Sequence, residues 1–315
     1  MSIFGINIKT LLKLDASAVG IMHVANKFIS ATSMGRNVLK SGVGKNYRWK
    51  HADVFYIKQG SGSPLLLIHH LDPSFSAYEW NEVIDELSKD HTVYAVDLPG
   101  CGRSQKPNVI YNSYYYVLFV QSFIKDVIKG KCDVIASGYS SSFAAIAAAS
   151  DEKLVHKLIA VNPMSLSQLM TGPNSKSKAA RILLSLPVLG TSLYNIEECH
   201  DNIDLRFTED YLYNPFRSKQ RFVDAFYESA HAKDSRGKYL LGCIKGHFMS
   251  VNIKKSLSQL GSRFSIIYGE GLDHADTIIS AYKKQNYLIQ VSSIEKTKWL
   301  PHMEKPEAFL NALDL

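Results

Sequence analysis

The sequence predicts an α/β protein in which helices cover both faces of a mostly parallel sheet, with a long helical insertion. Three observations carry this prediction. Short, mostly apolar runs recur along the chain, and the run 65–68 is continuously apolar, as a strand covered on both faces requires. Patches of helical character separate most of these runs. Residues 164–260 then interrupt the alternation with helical patches, tyrosines and turn residues but no strand pattern.

The predicted elements follow in order along the chain. Two short strands, 47–49 and 54–57, form a hairpin. The apolar runs that predict buried strands are 65–68, 93–96, 132–136, 158–161, 264–268 and 287–291. The segments with helical pattern are 78–87, 115–128, 143–149 and 304–313. Because the insertion follows the fourth buried strand, we expect it over the carboxyl ends of the strands, where open α/β sheets bind ligands.

The chain is therefore expected to have four segments. These are an N-terminal arm over 1–46, the first part of an α/β core over 47–163, a helical cap over 164–260, and the second part of the core over 261–315. A chain of 315 residues is long enough to bury a stable core without disulfide bonds or a structural metal.

The four cysteines show neither CxxC nor zinc-ligand spacing, so we expect reduced thiols in a cytoplasmic protein and no metal. They are Cys101, Cys132, Cys199 and Cys243.

The net charge of +7 is concentrated in the N-terminal arm. Residues 1–50 hold eight Lys or Arg and one acid, Asp15, whereas the remaining 265 residues carry 28 charges of each sign. Nucleic acid is not an expected partner, because a binding domain would carry a basic stripe with its own motif. A short basic arm better suits an acidic partner or an anionic membrane surface.

The arm also carries a helical apolar pattern, with Asp15 as a candidate cap. The residues of the pattern are Ala18, Ile21, Met22, Ala25, Phe28 and Ile29. The uncharged run 16–26 is too short to span a bilayer, which takes about 20 apolar residues, and a signal peptide is not expected. Two interpretations remain open: a helix packed on the domain or on a partner chain, and a peripheral membrane helix.

The segment from Val134 to Phe143 carries the main chemical signal. A buried strand leads into a tight turn and then into a helix of small residues, which is the order of a nucleophile elbow. The sequence Gly138-Tyr139-Ser140-Ser141-Ser142 matches G-x-S-x-G except for the last position. Ser140 is therefore the candidate nucleophile. The alternative is that these serines only begin a helix, where serine is a good N-cap.

Three further motifs stand at related spacings. His69-His70-Leu71 follows the first buried strand, Asp97–Pro107 (D-L-P-G-C-G-R-S-Q-K-P) follows the second, and Pro301–Glu307 precedes the last helix. Together with the elbow, they resemble the α/β-hydrolase superfamily from about residue 47 onward. The resemblance is closest to capped esterases, C–C hydrolases and haloalkane dehalogenases. It implies an α/β-hydrolase fold with a helical cap and no metal or organic cofactor.

The resemblance also implies a function and a set of roles. Ser140 would be the nucleophile of a serine hydrolase, and a serine there argues against dehalogenation. The backbone N–H groups of Ser141 and Leu71 would form the oxyanion hole. His69 would support that loop, and His70 replaces a glycine and crowds it. Because the cap is rich in aromatic residues, we expect a small, mostly apolar ester or acyl compound as substrate.

The acid and the base are less well matched. Asp273 is the expected acid, with Glu270 as the alternative, and Asn162 stands where some relatives carry the acid. Relatives carry the catalytic histidine where this chain has Trp299, whose indole can only donate a hydrogen bond. The expected substitute base is His302. The other candidate bases are His274, His231 and His247.

Two functional hypotheses from different classes follow. The first is a serine hydrolase that acts through Ser140 with an unconventional base. The second is a catalytically degenerate hydrolase-fold protein that binds a small ligand or a partner. Loss of a triad member leaves only about 10³–10⁴-fold catalysis over water in the serine-protease case, so Trp299 makes the second hypothesis a serious alternative.

Overall fold

The computed structural model describes residues 2–3, 6–7, 16–40 and 44–315. Near the N-terminus, the short strands β1 (Ser2–Ile3) and β2 (Ile6–Asn7) pair with each other in antiparallel orientation. Helix α1 (Ala16–Thr32) follows. Asp15, the predicted cap of this helix, lies outside the described residues.

An eight-stranded sheet forms the centre of the molecule. Its strands are β3 (Gly44–Trp49), β4 (Ala52–Gln59), β5 (Ser63–Ile68), β6 (His91–Val96), β7 (Cys132–Ser137), β8 (Val155–Val161), β9 (Phe264–Gly269) and β10 (Gln290–Ile294). Their order is β10-β9-β8-β7-β5-β6-β4-β3. The six strands from β5 to β10 run parallel, and the hairpin β3–β4 joins β6 in antiparallel orientation. The predicted mostly parallel α/β sheet is confirmed.

Helices cover both faces of this sheet. Outside the insertion they are α2 (Ile84–Leu87), α3 (Ser113–Phe123), α4 (Tyr139–Ser150), α12 (Ala275–Gln285), α13 (Pro301–Glu304) and α14 (Pro306–Ala312). Strand side chains alternate between two apolar cores: Leu66 and Val134 belong to the core of one face, and Leu65 and Leu67 to that of the other. This alternation explains the continuous apolar runs, because neither face of these strands meets water.

Between β8 and β9 the chain forms only helices and turns. The helices are α5 (Leu166–Met170), α6 (Ser175–Ser185), α7 (Leu189–Glu197), α8 (His200–Arg206), α9 (Gln220–Ser235), α10 (Lys238–Lys245) and α11 (Lys254–Leu260). A π-helical turn (Phe207–Tyr211) extends α8, and a 3₁₀ turn (Pro215–Arg217) follows it. Ring contacts of Phe75 with Phe226 and Tyr211 place part of this insertion over the loop after β5.

Two predicted helices are broken in the structure. The predicted helix 78–87 consists of a 3₁₀ turn (Ala77–Trp80) and the separate single turn α2. The C-terminal helix is interrupted at Lys305, which has φ −136° and ψ 72°. The cause is Pro306, which lacks an N–H and disfavours a helical conformation in the residue before it.

Membrane-spanning potential is weak within the described residues. No single helix there combines enough length and hydropathy to cross a bilayer. Helices α6 and α7 reach the required length and composition only when they are taken together, and they are bent by 103° at their junction.

Candidate functional site

The sharp bend between β7 and α4 is centred on Gly138. This residue has φ +52° and ψ −123°, a backbone conformation that residues other than glycine adopt only under strain. A nucleophile elbow holds its nucleophile on the strained strand-to-helix turn. In this chain that position belongs to Gly138, flanked two residues away on each side by the small residues Ala136 and Ser140.

Ser140 lies in the first turn of α4 instead of at the bend. It is completely buried, and its hydroxyl donates a hydrogen bond of 2.5 Å to the carbonyl oxygen of His69. The structure therefore contradicts the assignment of Ser140 as the nucleophile. The physical reason is that the strained turn lies two residues before Ser140. Strand β7 ends at Ser137, so the turn falls on the next residue, Gly138.

The side chain of His70 occupies the space that a nucleophile would need. A Cβ atom built on Gly138 would overlap Nδ1 of His70 and would lie 3.0 Å from Cζ2 of Trp299. The backbone N–H of Tyr139, the residue after the bend, points at the same ring and donates to Nδ1 at 3.3 Å. The residue after the nucleophile normally supplies an oxyanion-hole donor, so in this chain an imidazole engages that donor.

His70 belongs to a cluster of aromatic rings. Its ring centroid lies 4.9 Å from that of Phe75, 5.2 Å from that of Trp299 and 6.0 Å from that of Tyr139. Burial lowers the pKa of His70 from its ordinary value of 6.5, so the ring is neutral at pH 7. Because Nδ1 accepts from Tyr139, the neutral ring carries its proton on Nε2.

Of the two predicted oxyanion-hole donors, Ser141 and Leu71, the first is engaged within its own helix turn. The N–H of Ser141 is directed at the carbonyl oxygen of Gly138, at 3.3 Å, and its hydroxyl donates to the same oxygen at 2.7 Å. The side chain of Leu71 is buried in the apolar core of one sheet face, and the role of its backbone N–H stays a prediction. The shift of the bend to Gly138 moves the other donor position from Ser141 to Tyr139.

His302, the expected base, lies in the other apolar core. It is completely buried and stacks on Trp80 with ring centroids 4.4 Å apart. Its Nε2 lies 3.2 Å from Oε1 of Glu79, which is also completely buried. The second carboxylate oxygen of Glu79 accepts the backbone N–H of His70 at 2.6 Å. His302 therefore supports the His70 loop from behind and does not reach Ser140.

The other candidate bases are also placed away from Ser140, whose hydroxyl bonds to the main chain. His274 is exposed and precedes α12, and His247 follows α10 in a turn with φ +60°. His231 is buried on α9, where its Nδ1 contacts the carbonyl oxygen of Tyr227 at 3.0 Å. Burial lowers the pKa of His231 to about 4.

The candidate acids do not form a dyad with an imidazole. Asp273 is exposed, and in the part of the chain that the structure describes no hydrogen bond joins it to a histidine. Glu270 is exposed and accepts the Ser293 hydroxyl at 2.7 Å. Asn162 is completely buried instead. Its amide nitrogen donates to the carbonyl oxygens of Lys298 and Trp299 at 2.9 and 2.8 Å, so it fastens the Trp299 loop to the end of β8.

The loops around this centre are held by fully hydrogen-bonded polar groups. Asp97 is completely buried and accepts the N–H of Ala77 (2.8 Å) and three N–H groups of Arg103 (2.7, 2.7 and 2.8 Å). Burial alone would raise the pKa of Asp97, but the Arg103 guanidinium outweighs it and holds that pKa below its ordinary value. His69 accepts the N–H of Leu98 on Nε2 and contacts the carbonyl oxygen of His70 through Nδ1. It supports the loop, as the resemblance implied.

A cleft of about 200 Å³ opens beside Trp299, between the insertion and the loops after β9 and β10. Its lining residues are Glu209, Asp210, Tyr211, Gly271, Leu272, Asp273, Lys298 and Trp299. The lining includes three carboxylates and two aromatic rings, and its one ammonium, on Lys298, donates to the carbonyl oxygen of Glu209. Within the described residues, no group of three or more His, Cys, Asp or Glu side chains is arranged to hold a metal ion.

The parallel sheet, the strained strand-to-helix turn and the helical insertion after β8 define an α/β-hydrolase-type protein. A family model described as "Alpha/beta hydrolase family" matches residues 65–275, which is more than half of the chain. The chain belongs to this family.

Sequence relatives with this fold are hydrolases. The chain is 34% identical over 103 residues to a soluble epoxide hydrolase of Corynebacterium sp. (strain C12), covering 33% of this chain and 35% of that protein. It is 24% identical over 177 residues to a 2-hydroxymuconate semialdehyde hydrolase of Pseudomonas sp. (strain CF600), covering 53% and 59%. The matched segments thus stop well short of the full length of either relative.

Solved structures agree on the fold. The epoxide hydrolase CorEH, solved without ligand, superposes with a TM-score of 0.70 at 19% sequence identity. The match covers 85% of this chain and 95% of that one. At this identity the superposition establishes the shared fold.

Proposed function

We propose that this chain is a catalytically degenerate member of the α/β-hydrolase family that acts by binding a small ligand or a partner. The observation that carries the proposal is Gly138 at the strained bend, with the ring of His70 in the space beside it. Covalent catalysis needs a nucleophilic side chain at that point. Glycine has none, and the neighbouring imidazole leaves no room for one.

Two further features support the same proposal. Trp299 packs against the bend where the resemblance places the general base, and its indole has no basic nitrogen. The N–H of Tyr139, which would stabilise an oxyanion, already donates to His70. Nucleophile, base and oxyanion donor are thus each replaced or engaged, and loss of one triad member alone already leaves only about 10³–10⁴-fold catalysis over water in the serine-protease case.

The cleft beside Trp299 is the best-supported place for a ligand. Its volume suits a small molecule or a single side chain of a partner, since drug-sized ligands fill pockets of roughly 300–1,000 Å³. Glu209, Asp210 and Asp273 favour a cationic group by charge, and the rings of Tyr211 and Trp299 favour it by cation–π attraction. A mostly apolar ester fits this lining less well than an amine does.

The names of the relatives favour a second candidate, a hydrolase, which in this chain would act as a serine hydrolase through Ser140. That function would need Ser140 to break its hydrogen bond to His69 and to leave the first turn of α4. A fluorophosphonate probe and a panel of p-nitrophenyl esters separate the two candidates. We expect labelling and ester turnover at background, and equal in the wild type and in Ser140→Ala. Labelling that disappears in Ser140→Ala would establish the hydrolase instead.

Binding in the cleft has its own readout, because the other two tryptophans, Trp49 and Trp80, are buried. Fluorescence of Trp299 should respond to small primary or quaternary amines and not to neutral alcohols of similar size. The response should vanish in Trp299→Phe and weaken in Asp273→Asn. An equal response to alcohols and amines would rule out a cation-binding cleft.

A further inference from the structure

Helix α1 is fastened to the cap through polar side chains. Asn26 donates to the carbonyl oxygen of Val188 at 3.1 Å and to the hydroxyl of Ser192 at 3.0 Å, and it accepts from the amide of Asn195 at 3.0 Å. One turn later, Ser30 donates to a carboxylate oxygen of Asp234 at 3.0 Å. These contacts fix which face of the helix points inward.

The outward face of α1 is apolar. Ile21, Val24 and Phe28 are 71%, 68% and 68% exposed. Their spacing of three and four residues aligns them in one stripe along the helix. A helix on the surface of a globular protein normally turns its apolar stripe inward and its polar residues outward. In α1 apolar residues lie on both sides: Met22 and Ile29 are half-buried, and the stripe of Ile21, Val24 and Phe28 faces outward, where a partner outside the fold could contact it.

The helix that carries this stripe is itself basic. Helix α1 contains Lys27 and no Asp or Glu, and its polar side meets the carboxylate of Asp234 through Ser30. Elsewhere in the insertion, α6 contains the exposed Lys176 and Lys178 and no acid. The first 50 residues together hold eight Lys or Arg and one acid. Exposed apolar side chains continue on α6, α7 and the turn between them: Ile182, Leu186 and Ile196.

We propose that α1 docks the protein on the surface of an anionic phospholipid bilayer. Ile21, Val24 and Phe28 enter the boundary between headgroups and acyl chains, and the lysines lie at the level of the lipid phosphates. An interfacial helix of this kind buries its apolar face by about 5–10 Å and gains from anionic lipid. A second copy of this chain is the poorer occupant, because it would bring two basic faces together.

Vesicle co-sedimentation of the full chain tests the proposal. We expect binding to phosphatidylcholine vesicles that contain phosphatidylglycerol, little binding to phosphatidylcholine alone, and weaker binding as salt is added, because salt screens the attraction to lipid charge. The double variant Ile21→Ser/Phe28→Ser should reduce the partition coefficient by at least about tenfold, since membrane affinity scales with buried apolar area. Lys27→Glu should reduce it by a smaller factor.

Phe216→Ser provides the matched control. Phe216 is 96% exposed in the 3₁₀ turn of the cap, away from α1, so its loss removes an equally exposed ring without touching the stripe. Its variant should bind as the wild type does, and thermal unfolding should show all these variants folded. Equal binding to neutral and anionic vesicles, or wild-type binding by the double variant, would overturn the proposal. So would a dimer in light scattering that the double variant abolishes, because the stripe would then be a dimer interface.

Discussion

Two regions meet at the carboxyl edge of the sheet, and they differ in what they contain. The framework, centred on Asp97, His69 and Glu79, consists of buried polar groups that hold the loops through short hydrogen bonds. The centre, at Gly138 and Trp299, consists of a glycine and packed rings where the resemblance led us to expect reacting groups. The groups that shape the site are present, and those that would react are replaced.

The difference is what the proposed loss of catalysis predicts: a strained elbow with glycine, which has no nucleophilic side chain, at the bend. The framework is needed to fold the loops, because each of its charges would be costly if left unpaired in the interior. The centre has no such requirement, and the ring of His70 packs beside Gly138 as a core residue would.

The largest effect is expected from Asp97→Ala. This change removes four hydrogen-bond acceptor contacts and leaves the Arg103 guanidinium without its partner in a site that is nearly closed to water. Breaking a buried pair by removing one partner costs about 3–5 kcal/mol. Urea unfolding followed by circular dichroism should show this as a lower free energy of unfolding.

Asp53→Ala serves as its control. Asp53 pairs with Arg48 at 2.9 Å, but both side chains are about half exposed or more, and exposed pairs contribute less than about 1 kcal/mol. If Asp97→Ala fails to fold, Arg103→Lys keeps the charge and loses the forked geometry, and it should still cost more than Asp53→Ala. Equal losses in the two regions would contradict the framework role.

A second effect, on the centre, is expected from Gly138→Ala. The methyl group would strain a residue at φ +52° and overlap the ring of His70. Strain and overpacking each cost about 1–3 kcal/mol, so we expect a loss of about 3 kcal/mol.

The background His70→Ala separates the two causes. Removing the ring should recover about 1–2 kcal/mol of the cost of Gly138→Ala, and the backbone strain should remain. Additive effects of the two substitutions in urea unfolding would show that His70 does not fill the nucleophile space.

The fold was predictable from the sequence because parallel strands that are buried on both faces have short apolar sequences. Leu65–Ile68 is continuously apolar, Cys132–Ala136 is apolar except at Asp133, and the loops after them carry glycine and polar residues. The turns inside 78–87 were not predictable, since the break there depends on tertiary contacts of Trp80 and Glu79 and not on a proline or glycine.

The centre of the site was misassigned by two residues, and the sequence contained the signal that would have corrected it. The serine run 140–142 matched the pattern by residue type, whereas the bend is set by where the strand ends. A strand that ends at Ser137 places the positive φ on the next residue, which is Gly138, with small neighbours at Ala136 and Ser140. The prediction of His302 as the base was wrong for a similar reason. Its place in the sequence does not reveal that its side chain packs against Trp80, in the apolar core on the other face of the sheet.

A smaller, pH-dependent effect is expected from Glu79 of the framework. Burial alone would raise the pKa of Glu79, but the contact with His302 and the N–H of His70 hold that pKa below its ordinary value of 4.5. A carboxylate with a lowered pKa stabilises the fold above its unfolded-state pKa, and that contribution is lost as pH falls below about 4.5. Glu79→Gln should therefore be less stable than the wild type at pH 7, with a shallower loss of stability in acid. Parallel pH profiles of the two proteins in urea unfolding would contradict the lowered pKa.

The smallest effect, expected from Ser140→Ala, bears most directly on the comparison. The hydroxyl of Ser140 donates one buried hydrogen bond to His69, so its removal should cost about 1 kcal/mol of stability. Ser137→Ala is the matched control: the Ser137 hydroxyl is buried without a hydrogen-bond partner among the described residues, so its removal should be neutral or slightly stabilising. Ester turnover should stay at background in both variants. If Ser140→Ala instead kept full stability and lost a measurable turnover, residue 140 would belong to the chemistry of the site and not to its framework.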